Sequence, residues 1–341
     1  MMTFKTIFSG QLEFGNERSF ERVQQMFEHR AENYYRQVLL LKPEDIFNAE
    51  NHTLEIPRLI AMATEKEWRN TINMLEFIVQ YAIAGDLSAW MVEEGRVIDH
   101  RHVEPKGDKA AVQAFLTGRE LVKEAGKEEE AMKALSRAID KFARHAKAYE
   151  RRGFVNYQLR NFKDALYDYS KSIDINPDAA EPYFGRAIVR IAMEDDKGAA
   201  QDLELAAKNS IPLQPMYWQA RRIKGECHLR LGEFDKAALE FKLFTRRNFS
   251  KENPNFRWRK RAFFNYGRAL LETGQYADSV KAFDQALEIE AAKGEFPEAD
   301  LLVCRGIALQ KAGKGGFKKD WEAAASQGSE RAAELLQAAA V

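Results

Sequence analysis

The chain has 341 residues, enough for two domains, and 45% of them are hydrophobic, which excludes a disordered or fibrous protein. Its 52 basic side chains balance its 52 acidic ones, so the overall charge gives no indication of nucleic acid as a partner. The charge is nevertheless uneven, because residues 1–105 carry a net charge of −6 and the remaining residues carry +6. Two such halves can attract each other or attract different partners.

The start of the chain lacks the basic segment and unbroken apolar run of a signal peptide, and no stretch of 18 apolar residues occurs. We therefore expect a soluble, cytoplasmic protein that makes no contact with a membrane. Cys227 and Cys304 have no partners at the spacing of a disulfide framework or a zinc site. We expect both thiols to be buried core groups, and we expect no metal or other cofactor.

The first 105 residues predict, in order, a strand, a helix, two strands, a helix and two strands. Apolar and polar residues alternate over residues 3–14, as in a half-buried strand. Ser19 is expected to cap the first helix and Thr64 the second. Further strands are predicted at residues 38–41, 53–61, 87–92 and 96–103, the last two joined by a hairpin turn. This order predicts a small α+β domain, with a ferredoxin-like sheet and one added strand as the expected topology.

Polar residues 104–108 break both periodicities, so we place a domain boundary there, between residues 1–105 and an all-helical array over residues 106–341. Small residues recur through the array. If Gly153 is the eighth residue of a unit, the eighth position holds Gly153, Ala187, Gly225, Gly267 and Gly306, and in the first copy Gly118, one residue out of register. The twentieth position holds Ala131, Ala165, Ala199, Ala237, Ser279 and Phe317. A large residue recurs at the twenty-fourth position, as Leu135, Tyr169, Leu203, Phe241, Phe283 and Trp321.

This period of 34 residues or slightly more, with its small and large positions, resembles the tetratricopeptide repeat (TPR) family. The resemblance covers about residues 108–341 and implies an all-α superhelical solenoid. We expect about six helix pairs and a final amphipathic helix over residues 329–340 that caps the array.

In proteins of this family, the first helix of each unit lines a concave groove, chiefly through positions two, five, nine, twelve and thirteen. The resemblance therefore implies a groove here that is aromatic at first and rich in arginine later. The groove residues that stand out are Phe154, Tyr157, Phe184, Arg222, Arg230, Arg261, Phe264 and Arg268. We expect the four arginines to face solvent and bind carboxylates, whereas the aromatic residues either contact a partner or pack against the next helix.

The sequence gives little support for catalysis, metal binding or nucleic-acid binding. No phosphate-binding loop, nucleophile motif or paired-cysteine motif occurs, so we expect no catalytic residues. His100 and His102 project from one face of a predicted strand and can form part of a metal site, although an exposed polar strand is the simpler interpretation. Residues 246–261 combine seven basic with three aromatic residues, as nucleic-acid-binding segments do, although a solvated turn between helices is the simpler interpretation.

The sequence thus predicts a non-enzymatic scaffold or adaptor. Its partner is expected to be a protein or peptide that places acidic and apolar groups in the concave groove. Two alternatives stay open. In one, the array binds nucleic acid through residues 246–261. In the other, residues 1–105 carry a metal-dependent or enzymatic activity and the array is a targeting module.

Overall fold

The computed structural model describes residues 2–36, 38–290 and 296–339. The chain divides into two compact units, Met1–Val189 and Arg190–Val341. The boundary predicted after residue 105 lies inside the first unit, where the last strand gives way to the first helix of the array. As a domain boundary it stays a prediction.

The first unit begins with a five-stranded antiparallel sheet in the order β2-β3-β1-β4-β5. Its strands and helices are β1 (Phe4–Glu13), α1 (Glu17–Asn33), α2 (Pro43–Ile46), β2 (Phe47–Asn48), β3 (Thr53–Ala63), α3 (Glu65–Ile78), β4 (Ala84–Glu93) and β5 (Arg96–Val103). The sequence β1-α1-β2-β3-α3-β4 in this strand order is the ferredoxin-like arrangement, with β5 added beside β4. The predicted α+β fold is therefore confirmed.

One face of the sheet packs against helices α1 and α3. Strands present alternate residues to opposite faces, so Phe8 and Leu12 of β1 point to the same side as Leu87 of β4. These side chains share a buried core with Phe27 of α1 and Leu75 of α3. The opposite face of the sheet is therefore available to pack against the array helices of the first unit.

The strand predicted at residues 38–41 is wrong. Side chains of α3 hold this segment instead, because Thr71 Oγ1 accepts a hydrogen bond from the Leu40 amide (3.0 Å) and Asn70 Nδ2 donates one to the Val38 carbonyl (3.0 Å). The strand at that point of the topology is the two-residue β2, which pairs with Thr53 and Leu54. A short apolar run is compatible with either a strand or a buried loop. Here the hydrogen bonds from α3 stabilise the loop.

The helix caps were predicted with mixed success. Thr64 caps α3 as expected, in a reciprocal capping box with Glu67. Helix α1, however, is capped by Asn16, whose side chain accepts a hydrogen bond from the Ser19 amide at 2.9 Å. Ser19 therefore lies inside the helix, and its prediction as the cap is wrong.

The array consists of helices joined by short turns. They are α4 (Ala110–Leu121), α5 (Glu128–Lys141), α6 (Ala146–Gln158), α7 (Phe162–Ile175), α8 (Ala180–Ala192), α9 (Asp196–Asn209), α10 (Pro215–Arg230), α11 (Phe234–Arg246), α12 (Arg259–Glu272), α13 (Tyr276–Glu288), α14 (Glu298–Lys311), α15 (Phe317–Ser326) and α16 (Glu330–Ala338). In the part of the chain that the structure describes, α4 to α15 follow one another as the six predicted pairs. Helix α16 is the predicted cap, and its Ala332 is fully buried.

The small and large positions of the repeat meet inside the helix pairs. A Cβ atom added to Gly267 would lie 2.5 Å from the ring of Phe283, and one added to Gly225 would lie 2.9 Å from the ring of Phe241. Gly118 has the same role against Leu135, at 2.7 Å, although its position in the sequence is shifted by one residue. The glycines are thus needed for close approach of the helices.

Ion pairs with a buried carboxylate join the two helices of several pairs, at positions that were not singled out from the sequence. A cation one residue before the small eighth position meets a carboxylate one residue before the large twenty-fourth position. These pairs are Arg152–Asp168 (2.7 Å), Lys224–Glu240 (2.7 Å) and Arg305–Asp320 (2.6 Å). They show that much of the charge in the array has a structural role. No helix in the described part of the chain has both the length and the apolar character needed to cross a bilayer.

Candidate functional site

The second unit contains a cleft of about 410 Å³ between the first helices of three successive pairs, α10, α12 and α14. Its lining residues are Glu226, Leu229, Arg230, Arg261, Phe264, Asn265, Arg268, Phe296, Pro297 and Asp300. Four of the eight predicted groove residues thus lie together, namely Arg230, Arg261, Phe264 and Arg268. We take this cleft as the candidate functional site.

Arg261 and Arg268 are two exposed cations of the cleft. They lie seven residues apart on α12, so two helical turns place them on one face, with a rise of about 10.5 Å between their Cα atoms. Within the described residues, neither guanidinium has a carboxylate partner. The Arg268 guanidinium lies over the ring of Phe264, with its Cζ atom 5.7 Å from the ring centroid.

Arg230 differs, because it is already engaged. Its Nε and Nη2 atoms donate to the two carboxylate oxygens of Asp196, at 2.8 and 2.6 Å. This pairing lowers the pKa of Asp196 below its usual value. Arg230 also donates to Cys227 Sγ at 3.4 Å, and burial raises the pKa of that thiol to about 12. Arg230 therefore lines the cleft, but its charge is already paired with Asp196. Cys227 is a protonated core thiol.

The prediction that Arg222 faces solvent is wrong, since only 6% of this residue is exposed. Its guanidinium lies 4.0 Å from the centroid of the Trp258 ring and donates to Glu226 at 2.6 Å. Burial disfavours its charged form and lowers its pKa, against the opposing effect of Glu226. Trp258 precedes α12 and covers this position, so Arg222 joins two helix pairs and does not line the cleft.

The floor of the cleft is apolar with one amide. Phe264 is 8% exposed, and its ring packs edge-on against Phe296 with centroids 5.3 Å apart. It also contacts Phe283. Of the two roles expected for the aromatic groove residues, Phe264 therefore has the packing role and not the partner-binding one. Asn265, beside it, is a buried polar residue that lines the cleft, and its side chain makes no hydrogen bond to a described residue. Asn265 and Asp300 were missed from the sequence, because the family positions used for the prediction leave out position six and were not extended to α14.

The predicted groove residues of the first unit do not form a comparable site. Phe154 is 36% exposed, and Phe184 is half-buried. Tyr157 packs against the ring of Phe162, with centroids 6.1 Å apart, beside the core of Ala165 and Tyr169. Phe154 is therefore the most available of the three aromatic side chains.

In the first unit, basic residues at the start of the array are held by the sheet and the loops that join its elements. Arg144 contacts Glu13 of β1 at 3.3 Å, and Lys147 contacts Asp86 of β4 at 3.3 Å. Arg119 binds Glu104 just after β5. The acidic N-terminal residues and the basic array residues therefore attract each other, which is one of the two outcomes expected from their opposite charges.

The pKa values of Glu13 and Lys147 are both shifted from their usual values. Burial raises the pKa of Glu13 to about 7, although the hydrogen bond and charge of Arg144 pull it down. For Lys147, burial disfavours the charged form, but the carboxylates of Asp86, Glu181 and Glu150 outweigh it and raise the pKa. The contact between sheet and array is thus made of desolvated charges.

Neither the proposed metal site at His100 and His102 nor the proposed nucleic-acid-binding segment 246–261 has the side-chain arrangement that its function requires. His100 stacks on Trp90, with centroids 5.1 Å apart and planes inclined by 16°. The described residues contain no cluster of three side chains that is able to hold a metal ion. In the basic segment, Phe249 is buried and Trp258 and Phe256 pack against the same core. Their faces are therefore occupied by protein, although several of the segment's basic residues are exposed.

Comparison with known proteins gives one consistent result. Profiles of the tetratricopeptide repeat match residues 121–180, 184–250 and 260–293. RNA polymerase II-associated protein 3 of Xenopus tropicalis is 22% identical over 177 residues, and that of Xenopus laevis is 24% identical over 181 residues. Each match covers 51% of this chain but only 27% of the relative's own length.

Among solved structures, the crystal structure of YrrB, a TPR protein with an unusual peptide-binding site, superposes with a TM-score of 0.50 and 18% identity. The match covers 61% of this chain and 98% of YrrB. At that identity the similarity concerns the fold. It agrees with the helix pairs and the close glycine contacts described above.

Proposed function

This chain is a tetratricopeptide repeat protein, and from that premise we propose that it is a non-enzymatic scaffold that captures a partner protein in the cleft of its second unit. One observation carries the proposal: Arg261 and Arg268 face the cleft from one side of α12, and among the described residues neither forms an ion pair, although Glu226 and Asp300 also line the cleft. An unpaired guanidinium at the rim of a cleft is ready to bind a carboxylate in two-point geometry. Repeat arrays of this kind commonly use their inner surface for binding.

The lining of the cleft supports a particular chemistry for the partner. The rise of about 10.5 Å between the two arginines matches the spacing of residues i and i+3 in a polyproline II segment, about 9.3 Å, and these residues share one face. The two intervening residues project about 120° to either side of that face, so an apolar side chain at one of them would contact the edge of the floor formed by Phe264 and Phe296. Asn265 can bind the backbone of an extended segment, which has unpaired donors and acceptors. The proposed partner segment is therefore extended, with two acidic residues three positions apart and an apolar residue between them.

The test is a pull-down with the full chain as bait. We expect the double variant Arg261→Glu and Arg268→Glu to lose captured proteins, identified by mass spectrometry, because it repels carboxylates at both ends of the cleft. The matched control is Arg246→Glu with Arg247→Glu, which makes the same change of charge at two exposed residues outside the cleft lining. Circular dichroism checks that both variants are folded. Equal capture by the two variants contradicts the proposal.

The control variant also tests the nucleic-acid alternative. If the exposed arginines of residues 246–261 bind a polyanion, Arg246→Glu with Arg247→Glu weakens retention on heparin at low salt, and the affinity of the unchanged protein falls steeply as salt rises. No observation in the structure favours that function over partner capture.

A further inference from the structure

Strand β5 forms one edge of the N-terminal sheet, and β4 is its only hydrogen-bonded partner among the described strands. It is eight residues long, and Val97 and Ile98 are 43% and 45% exposed. An edge of this length presents a row of backbone donors and acceptors that another strand can pair with. The opposite edge is interrupted, because β2 pairs with the first residues of β3 and Pro57 has no amide hydrogen.

We propose that β5 pairs antiparallel with β5 of a second copy of this chain, about a two-fold axis at His100. The charges of the two β5 strands are complementary in this arrangement. In this register, Asp99 of each copy lies opposite Arg101 of the other, so the two-fold axis generates two cross-strand ion pairs.

Neighbouring registers lack this match. Centring the axis on Asp99 brings the two Asp99 carboxylates together and places Arg101 opposite Val97. Centring it on Arg101 brings the two guanidiniums together and places Asp99 opposite Val103. Since like charges directly opposite destabilise strand pairing, the charges select His100 as the centre.

The side chains are available for this pairing. Within one copy, the Nε atom of Arg101 lies 3.2 Å from the Asp99 carboxylate, and 53% of the Arg101 side chain is exposed. Both residues therefore lie on the same face of the sheet, as a cross-strand pair requires. The interface is small, because the ladder between β4 and β5 is irregular between Met91 and Val92, opposite Ile98. A bulge there confines regular pairing to a few residues, so the dimer is weak and forms at high chain concentration.

The experiment is sedimentation equilibrium of the full chain over a hundredfold range of concentration. The unchanged protein should approach twice its monomer mass at the upper end. Arg101→Glu should remain monomeric, because the introduced carboxylate of each copy faces Asp99 of the other. Arg22→Glu is the matched control, since Arg22 is an exposed arginine on α1 and does not line the cleft that holds Asp99 and Arg101. It should associate as the unchanged protein does.

A charge exchange gives the decisive result. Asp99→Lys alone should also be monomeric, because the introduced ammonium group faces Arg101 of the other copy. An equal mixture of Asp99→Lys and Arg101→Glu should form heterodimers, because every pair in the mixed dimer is again of opposite sign. Asp99 also accepts a hydrogen bond from Trp68 Nε1 (3.2 Å), so circular dichroism must show that Asp99→Lys is folded. If it is not, the comparison of Arg101→Glu with Arg22→Glu decides the question alone. A monomeric unchanged protein, a dimeric Arg101→Glu or a folded but monomeric mixture overturns the proposal.

Discussion

Glu13 should make the first unit less stable as the pH rises from about 4.5 to about 7. The residue is 3% exposed, and burial raises its pKa from 4.5 to about 7. Between these two values the folded chain keeps a proton on Glu13 that the unfolded chain releases. The stabilisation is complete below the unfolded pKa and is lost as the pH passes the folded one. A difference of about 2.5 pKa units corresponds to about 3 kcal/mol.

The variant Glu13→Gln isolates this effect. Glutamine has no titrating proton and keeps an oxygen that can accept from Arg144, which contacts Glu13 at 3.3 Å. We expect the free energy of unfolding of the unchanged protein, minus that of Glu13→Gln, to fall by about 3 kcal/mol from about pH 4 to about pH 8. Urea unfolding at several pH values measures this difference, and other titrating groups cancel between the two proteins.

A control and a contradicting outcome complete the test. Glu76 is an exposed carboxylate on α3, and Glu76→Gln should follow the unchanged protein at every pH. If the difference for Glu13→Gln is also constant with pH, then Glu13 titrates near its ordinary value. In that case Arg144 fully compensates the cost of burial, and the reasoning above is refuted.

Two further predictions concern the packing and the caps. Gly267→Ala should destabilise the second unit by about 1–3 kcal/mol, because the new methyl group overlaps Phe283, whereas Gly315→Ala should be nearly neutral because no atom lies within 4 Å of the added carbon. Thermal unfolding of the two variants should show the difference, and equal midpoints would mean that the helices move apart at little cost. Thr64→Ala should cost about 1 kcal/mol through loss of the capping box with Glu67, and Thr64→Ser, which keeps the hydroxyl, should restore most of it in urea unfolding.

The repeat architecture was predictable because its signal is local. Gly267 and Phe283 belong to one helix pair, and their separation along the chain is fixed by the two helices and the turn. Each unit supplies an independent copy of the same spacing, so the pattern identified the helices before their packing was known. The N-terminal sheet was predictable for a similar reason, because alternation and turn residues mark strands locally.

The exposure of individual groove residues was not predictable in this way. Arg222 occupies a family groove position, but the ring of Trp258 covers it, 36 residues further along the chain in the extended connection between α11 and α12. Phe264 likewise lies under Phe296, which precedes the next helix pair. Whether a groove position reaches solvent depends on these inserted segments. The family pattern has no position for them, so it predicts the face of the helix but not what covers it.

The ion pairs of the array give a physical criterion for where a partner binds. Arg152, Lys224 and Arg305 hold the helices of their own pairs together, and their carboxylates are buried. Removing one member of such a pair leaves a buried charge uncompensated, so these cations are not available to a ligand. Arg144 and Lys147 are engaged with carboxylates of the sheet. The exposed guanidiniums of Arg261 and Arg268 on α12 form no ion pair within the described residues. A carboxylate from another protein can therefore bind them without breaking an existing pair. Partner capture at Arg261 and Arg268 therefore costs the fold less than capture at any of these paired cations.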